Sequence, residues 1–116
     1  MTDDGYKASP EGLPEPPSDA LEPVPESRRD EYEQLLGFLM ENAVLDDGRV
    51  RSRAEWIARS ALEPGHLWRA MGVRGRGDVR AIMREYFPAL EAGNDRDMRW
   101  KKYLYRRLCG WSGFKA

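Results

Sequence analysis

The chain has 116 residues, 41% hydrophobic and 34% charged, which suffices for one small domain and leaves no material for a second core. Large two-domain enzymes are therefore excluded. With 19 Lys and Arg against 20 Asp and Glu, the net charge of −1 by itself favours neither a nucleic-acid-binding protein nor an acidic tail protein.

The single cysteine, Cys109, cannot form an intramolecular disulfide, so a reducing compartment is expected. The amino terminus, Met1-Thr2-Asp3-Asp4, is polar and acidic, and no signal peptide is recognised. The longest apolar stretch, residues 35–40, is interrupted by Gly37 and falls far short of the roughly 18 residues that a membrane-spanning helix needs. We therefore expect a soluble cytoplasmic protein.

Residues 1–26 contain six of the eight prolines and seven acidic residues against one lysine. We expect this segment to be a disordered acidic tail and residues 27–116 to form the folded domain. Because the whole chain carries −1 and this segment carries −6, the domain carries +5. The tail either folds loosely back over a basic surface or serves as a solubilising extension.

Apolar residues at helical spacing predict a first helix from Ser27 to the Asp46-Asp47-Gly48 turn. The second begins at Ser52, the start of a Ser-x-x-Glu capping box, and ends near Pro64. Pro64 suits the first turn of a third helix, which Gly72 closes in a left-handed conformation.

Asp78 is the predicted cap of a fourth helix, and Pro88 prevents its continuation. Asn94 caps a fifth, with Asp95 and Asp97 at its positive end, and Gly110 stops it. No convincing strand alternation is present. The sequence therefore predicts an all-α fold, a small orthogonal bundle of about five short helices, with weak order beyond Gly110.

Signatures of catalysis are mostly absent. His66 and Cys109 lie 43 residues apart and form either a thiol–base pair or, on the other interpretation, a cap-region histidine and a small apolar cysteine. Gly75-Arg76-Gly77 lacks the strand and the Gly-Lys-Ser/Thr of a phosphate loop and predicts only a tight turn. We expect a protein that is not an enzyme.

The fifth predicted helix, residues 95–109, interleaves cations with aromatic residues. These are Arg96, Arg99, Trp100, Lys101, Lys102, Tyr103, Tyr105, Arg106 and Arg107. Such a helix suits phosphate contacts with base stacking, or docking on an acidic protein surface. Alternatively Trp100, Tyr103, Leu104 and Leu108 are a buried face, and the cations are solvated opposite it.

Two stretches resemble the nitrogen-fixation protein NifQ family: Pro64-Gly65-His66-Leu67-Trp68-Arg69-Ala70-Met71-Gly72-Val73, and the pattern from Ile82-Met83 through Tyr86-Phe87-Pro88-Ala89-Leu90 to Met98-Arg99-Trp100-Lys101-Lys102-Tyr103-Leu104-Tyr105-Arg106-Arg107-Leu108-Cys109. The resemblance covers roughly Trp56 to Cys109, and its last stretch is the most specific.

The resemblance implies a protein that supplies molybdenum, as part of a Mo-Fe-S cluster, for biosynthesis of the nitrogenase iron–molybdenum cofactor. The implied partners are the cofactor-assembly scaffold and the nitrogenase iron protein. In that role Lys101, Lys102, Arg106 and Arg107 would steer the encounter, and Trp100 or Tyr105 would anchor it.

The family pattern continues, about eight residues further on, with Cys-x4-Cys-x2-Cys-x5-Cys, the soft ligands of an iron–sulfur-type cluster. This sequence stops at Ala116, so we expect Cys109 and His66 to be at most residual or accessory ligands. The chain is either truncated, which the abrupt stop favours, or a degenerate copy, or completed by a partner. The alternative function is a small helical module that binds protein or nucleic acid through residues 95–109.

Overall fold

The computed structural model of the chain describes residues 12–17 and 21–111. Within these residues the chain forms six α-helices and no strand, so the all-α prediction is confirmed with one helix more than expected. They are α1 (Arg29–Glu41), α2 (Gly48–Ala61), α3 (Leu67–Met71), α4 (Arg76–Tyr86), α5 (Pro88–Gly93) and α6 (Trp100–Cys109), with a 3-10 turn at Glu26–Arg28. Among these helices, none combines the length and the apolar character that a membrane span requires.

The N-cap of helix α2 lies five residues earlier than the capping box predicted. Asp47 is its N-cap, and a side-chain oxygen of Asp47 accepts a hydrogen bond from the Val50 N–H at 3.0 Å. Ser52 lies inside the helix and donates to the Arg49 carbonyl at 2.9 Å. The prediction of Ser52 as the cap was wrong because the aspartate upstream already satisfies an orphan N–H.

Helix α3 is shorter than predicted, because it begins at Leu67 and leaves Pro64 in the preceding loop. Gly72 closes it as predicted, with φ of +82°, a conformation that glycine adopts without a Cβ penalty. The N–H groups of Gly72 and Val73 both reach back to the Trp68 carbonyl at 3.1 Å.

Pro88 ends α4 as predicted, but it also starts α5, since a proline at the first helical position needs no N–H partner. Asp78 lies within the first turn of α4, not at its cap, and accepts from the Arg74 N–H at 3.0 Å. Both departures shorten the loops on either side of α4.

Asn94 was predicted to cap the last helix and does not. Its side chain instead brackets Met98, accepting from the Met98 N–H at 2.8 Å and donating to the Met98 carbonyl at 3.0 Å. These two hydrogen bonds fix residues 94–98 as a loop. Helix α6 therefore begins only at Trp100, and Asp95 and Asp97 precede it.

The helices enclose one apolar core, to which every helix contributes. Its fully enclosed side chains include Leu35, Leu39, Ile57, Val79, Ile82, Met83, Phe87, Leu90 and Leu104. Trp100, Tyr103, Leu104 and Leu108 form the buried face of α6. The aromatic residues at 100 and 103 are therefore part of the core, as the second interpretation of this helix expected.

The described residues of the N-terminal segment lie against the helices. Leu13, Leu21 and Val24 pack on the core, Glu15 lies 3.7 Å from Arg53, and the Glu22 carbonyl accepts from Arg59 at 2.9 Å. The remainder of the predicted disordered tail, residues 1–11 and 18–20, lies outside the described residues.

Beyond α6, Trp111 packs back on α1. Its ring meets the Phe38 ring edge-on, with centroids 5.9 Å apart, and its indole N–H donates to Glu41. The other residues expected to be weakly ordered, 112–116, lie outside the described part of the chain.

Candidate functional site

An open pocket of about 540 Å³ lies where the N-terminal end of α3 meets the N-terminal end of α6. Its volume falls within the range of small-molecule sites. Its lining residues come from three segments that are distant in sequence: Gly65, His66, Leu67, Trp68, Arg76, Arg99, Trp100, Lys101, Lys102 and Tyr105. We call this the α3–α6 pocket.

One wall is the loop that leads into α3. Gly65 has φ of +88°, and His66 is the extended N-cap residue, so the chain turns sharply just before the helix. The imidazole of His66 lies over the Trp68 ring, with centroids 6.2 Å apart and planes at 15°. Lys101 donates to the carbonyls of Glu63 and Gly65, which ties this wall to α6.

The opposite wall is held by Asp97, whose φ of +53° aspartate tolerates better than most residues. Its carboxylate accepts from Arg76 at 2.9 Å and from Arg80 at 2.7 Å. Arg76 also donates to the Met98 carbonyl at 3.1 Å. The start of α6 is thereby fixed against α4.

Beneath the pocket, Tyr105 donates its hydroxyl hydrogen bond to Glu31 of α1. Arg28 donates two hydrogen bonds to the same carboxylate, at 2.7 and 3.0 Å, and a third to the Leu62 carbonyl at 3.1 Å. The Arg28 hydrogen bond holds the pKa of Glu31 below its usual value, while burial raises the pKa of Tyr105. This network fixes the middle of α6 against α1 and α2.

The charged side chains that line the pocket are all positive. Four cations line it, Arg76, Arg99, Lys101 and Lys102, and no carboxylate of the described residues does. Within the described residues, no carboxylate lies within ion-pair distance of the last three. The site therefore presents an excess of positive potential to a ligand.

Five of the residues predicted as metal ligands or partner contacts lie together in this pocket: His66, Trp100, Lys101, Lys102 and Tyr105. Trp100 is only 3% exposed and contributes to the wall. Its role as a partner anchor, like that of Tyr105, stays a prediction.

Arg106, Arg107 and Cys109 lie on α6 outside the pocket. Cys109 is the exposed last residue of the helix, about 12 Å along its axis from Lys101 at 1.5 Å per residue. The structure therefore does not place Cys109 in the pocket that contains His66. Among the described residues no group of three or more His, Cys, Asp or Glu side chains is arranged to hold a metal ion.

A stripe of exposed residues runs along the outside of α6. Positions 99, 102, 106 and 109 share one helical face, so Arg99, Lys102, Arg106 and Cys109 form what we call the outer stripe. Arg107 belongs to another face, where it donates to the Tyr103 hydroxyl at 2.6 Å.

Sequence reasoning missed Arg76 and gave Trp68 only a place on an apolar helix face. Arg76 stood in a Gly-Arg-Gly turn that carried no phosphate-loop signal, and nothing local shows that it lies beside α6. For Trp68 the available signal was the His-Leu-Trp segment of the family resemblance.

The family model described as NifQ matches residues 7–116. The chain is 42% identical over 95 residues to a protein NifQ homolog of Sinorhizobium fredii, covering 81% of this chain and 41% of the relative. It is 36% identical over 96 residues to protein NifQ of Azotobacter vinelandii, covering 83% and 49%, and 36% identical over 83 residues to protein NifQ of Klebsiella pneumoniae, covering 72% and 48%. The chain thus spans about half the length of these curated relatives. No solved structure matches it.

Proposed function

The chain belongs to the NifQ family, and from this premise we propose that it serves nitrogen fixation by helping to supply molybdenum for nitrogenase iron–molybdenum cofactor assembly. The match of the family model to residues 7–116 carries the proposal, because it includes both walls of the α3–α6 pocket and all of α6. The proposed role is delivery rather than catalysis. We also propose a cytoplasmic location, because the free thiol of Cys109 stays reduced in that compartment.

The cargo of such a role would be a Mo-Fe-S cluster. The 116 residues contain one thiol, Cys109, and one imidazole, His66, on separate elements. An iron–sulfur-type cluster is held by several thiolates, so these two groups do not fit as its complete ligand set. We therefore assign this chain the docking part of the role and keep Cys109 and His66 as accessory ligands only.

The proposed partners are the cofactor-assembly scaffold and the nitrogenase iron protein. The outer stripe suits a transient encounter, since its cations are exposed and have no ion-pair partner among the described residues. Unpaired exposed charge raises the association rate with an acidic surface more than it raises affinity. Nucleic-acid binding is not proposed, because two of the three aromatic rings of α6, those of Trp100 and Tyr103, are buried and cannot stack on bases.

The proposal is tested by deleting the gene in its diazotrophic host and measuring acetylene reduction over a range of molybdate concentrations. We expect activity to fall at limiting molybdate and to recover at excess molybdate, because mass action then replaces delivery. The wild-type gene should restore activity at limiting molybdate. Activity equal to that of the parent strain at every concentration would contradict the proposal.

The docking assignment is tested with Arg106→Glu, which reverses one charge of the outer stripe outside the pocket. The matched control is Arg49→Glu, which makes the same change at an exposed residue in the first turn of α2. We expect the association rate with the purified scaffold to fall roughly tenfold at low salt for the first variant. Equal rates for the two variants would refute the assignment.

A further inference from the structure

The N-terminal end of α6 is open. Its N-cap residue, Arg99, makes no side-chain cap hydrogen bond, and the first turn contains no acidic residue. The positive end of the helix dipole and its orphan N–H groups are therefore not neutralised from within the helix. The three first-turn residues, Trp100, Lys101 and Lys102, all line the α3–α6 pocket.

Two buried donors beside this helix end also have no acceptor. The indole N–H of Trp100, a residue 3% exposed, finds no hydrogen-bond partner among the described residues, and neither does the Nε–H of Arg76. Both residues line the pocket. A buried donor without a partner is destabilising, so such groups point to an acceptor that the described residues do not supply.

The charges of the lining act in the same direction. The Nζ of Lys101 rests on two carbonyl oxygens, which orient its charge but do not cancel it. Arg99 and Lys102 have no carboxylate partner in the described part of the chain. Arg76 alone among the four shares a carboxylate, that of Asp97.

From the uncapped helix end, the two unpartnered donors and the excess of cations, we propose that the α3–α6 pocket binds a small anion with two or more negative charges carried on oxygen atoms. Several oxygen acceptors are needed to meet N–H groups from different directions. The aromatic walls, Trp68 and Tyr105, leave room for either an inorganic oxyanion or a short dicarboxylate. The inference goes beyond the proposed function and holds whether or not the chain handles molybdenum.

Isothermal titration calorimetry of the full chain tests the proposal, with phosphate, molybdate and succinate as separate ligands and acetate as the monovalent comparison. We expect saturable one-to-one binding of at least one divalent ligand, about tenfold tighter than acetate. Phosphate and molybdate binding without succinate identifies an inorganic ligand, and the reverse identifies a dicarboxylate. Absence of saturable binding for all three would overturn the proposal.

Variants locate the binding. Arg99→Gln and Lys102→Gln each remove one exposed charge of the pocket, and we expect each to weaken binding about five- to tenfold. Trp100→Phe keeps an aromatic ring and removes the N–H; because this residue is buried, its thermal unfolding is recorded alongside the titration. Arg49→Gln is the control outside the pocket, for which we expect affinity within about twofold of wild type.

Equal weakening by Arg49→Gln and Lys102→Gln would overturn the proposal, since it would mean diffuse attraction to a basic surface. The outcome is independent of the acetylene-reduction test. Anion binding with unchanged nitrogenase activity in the deletion strain would sustain this inference and refute the proposed function, and the opposite pair of results would do the reverse.

Discussion

Two regions of the molecule are rich in cations but use them differently. Around α4, arginines have carboxylate partners: Arg74 with Asp78 at 2.9 Å, Arg76 with Asp97 at 2.9 Å, Arg80 with Glu91 at 3.4 Å, and Arg84 with Glu91 at 3.3 Å. Along the outside of α6, Arg99, Lys102 and Arg106 have no such partner within the described residues. The first set joins α4 to its neighbouring segments, and the second set faces solvent.

The number of cations on a helix therefore does not by itself identify a binding surface. A paired arginine contributes little to the potential beyond its partner, and an exposed pair stabilises the fold by about 0.2–1 kcal/mol. An unpaired cation contributes less to the fold but leaves its field available to a ligand or partner. Ion pairing, which depends on tertiary contacts, distinguishes the two helices.

Gly93→Ala disturbs the contact between α5 and α6 and has the largest expected effect on stability. Gly93 ends α5, and a Cβ there would lie 2.6 Å from the Tyr103 hydroxyl and 2.7 Å from Arg107 Nη1. Arg107 can move, but Tyr103 is buried and donates to the Leu90 carbonyl at 2.8 Å. We expect the free energy of unfolding in urea to fall by about 2–3 kcal/mol.

Gly77→Ala is the control for that experiment. Gly77 lies within α4 and has open space where a Cβ would be placed. We expect this variant to be neutral or more stable by about 0.5–1 kcal/mol, since alanine favours the helix. A stability loss of similar size in both variants would mean that the close approach at Gly93 is not the cause.

Glu31→Gln tests a carboxylate that holds α6 from below, where it accepts from the Tyr105 hydroxyl. The pKa of Glu31 is held below its usual 4.5, chiefly by the Arg28 hydrogen bond, so the unfolded chain binds a proton first as pH falls. Stability from this carboxylate is therefore present above about pH 5 and is lost as pH falls through the lowered folded pKa.

We expect the free energy of unfolding of the wild type to decline more steeply below about pH 5 than that of Glu31→Gln, with a difference near neutral pH of about 1 kcal/mol. Denaturant titrations at a series of pH values measure this. Asp78, whose pKa the Arg74 hydrogen bond also lowers, remains in both proteins and cancels in the comparison. Parallel pH profiles would contradict the assignment.

Asp97→Asn and Lys102→Gln give the smallest effects and test the contrast directly. Asparagine keeps the oxygen acceptor and tolerates the positive φ at position 97, so the first variant removes only the charge shared by Arg76 and Arg80. We expect a loss of about 0.5–1 kcal/mol for Asp97→Asn and a change within about 0.5 kcal/mol for Lys102→Gln. The reverse order would remove the distinction between the two helices.

Sequence patterns predicted the helices that bury an apolar face and failed where side chains make the local bonds. The spacing of Val79, Ile82 and Met83 identified α4, because period and burial coincide there. The cap at Ser52 and the helix start at Asn94 were wrong because serine and asparagine suit several local hydrogen-bonding arrangements. Choosing among these requires knowing the competing partners: the Asp47 carboxylate, which accepts the helix N–H in one case, and the Met98 N–H, which occupies the Asn94 side-chain oxygen in the other.

The pocket was predictable only in part, for a similar reason. Lys101 and Lys102 stood out as a basic pair within an aromatic helix, and His66 stood out as the single histidine. That they share one pocket depends on how the fold brings the loop before α3 to the start of α6, since His66 and Lys101 lie 35 residues apart in sequence. No local pattern carries that information.

The contact between Gly37 and Trp111 has an evolutionary consequence. Glycine inside α1 costs about 1 kcal/mol of helix propensity, and here a Cβ would lie 3.1 Å from the edge of the Trp111 ring. The residues at positions 37 and 111 are therefore expected to co-vary among related sequences. A lineage that replaces the indole with a small side chain can place alanine at position 37 and gain helix stability, whereas in one that keeps the indole the ring must shift by a few tenths of an ångström to admit that alanine.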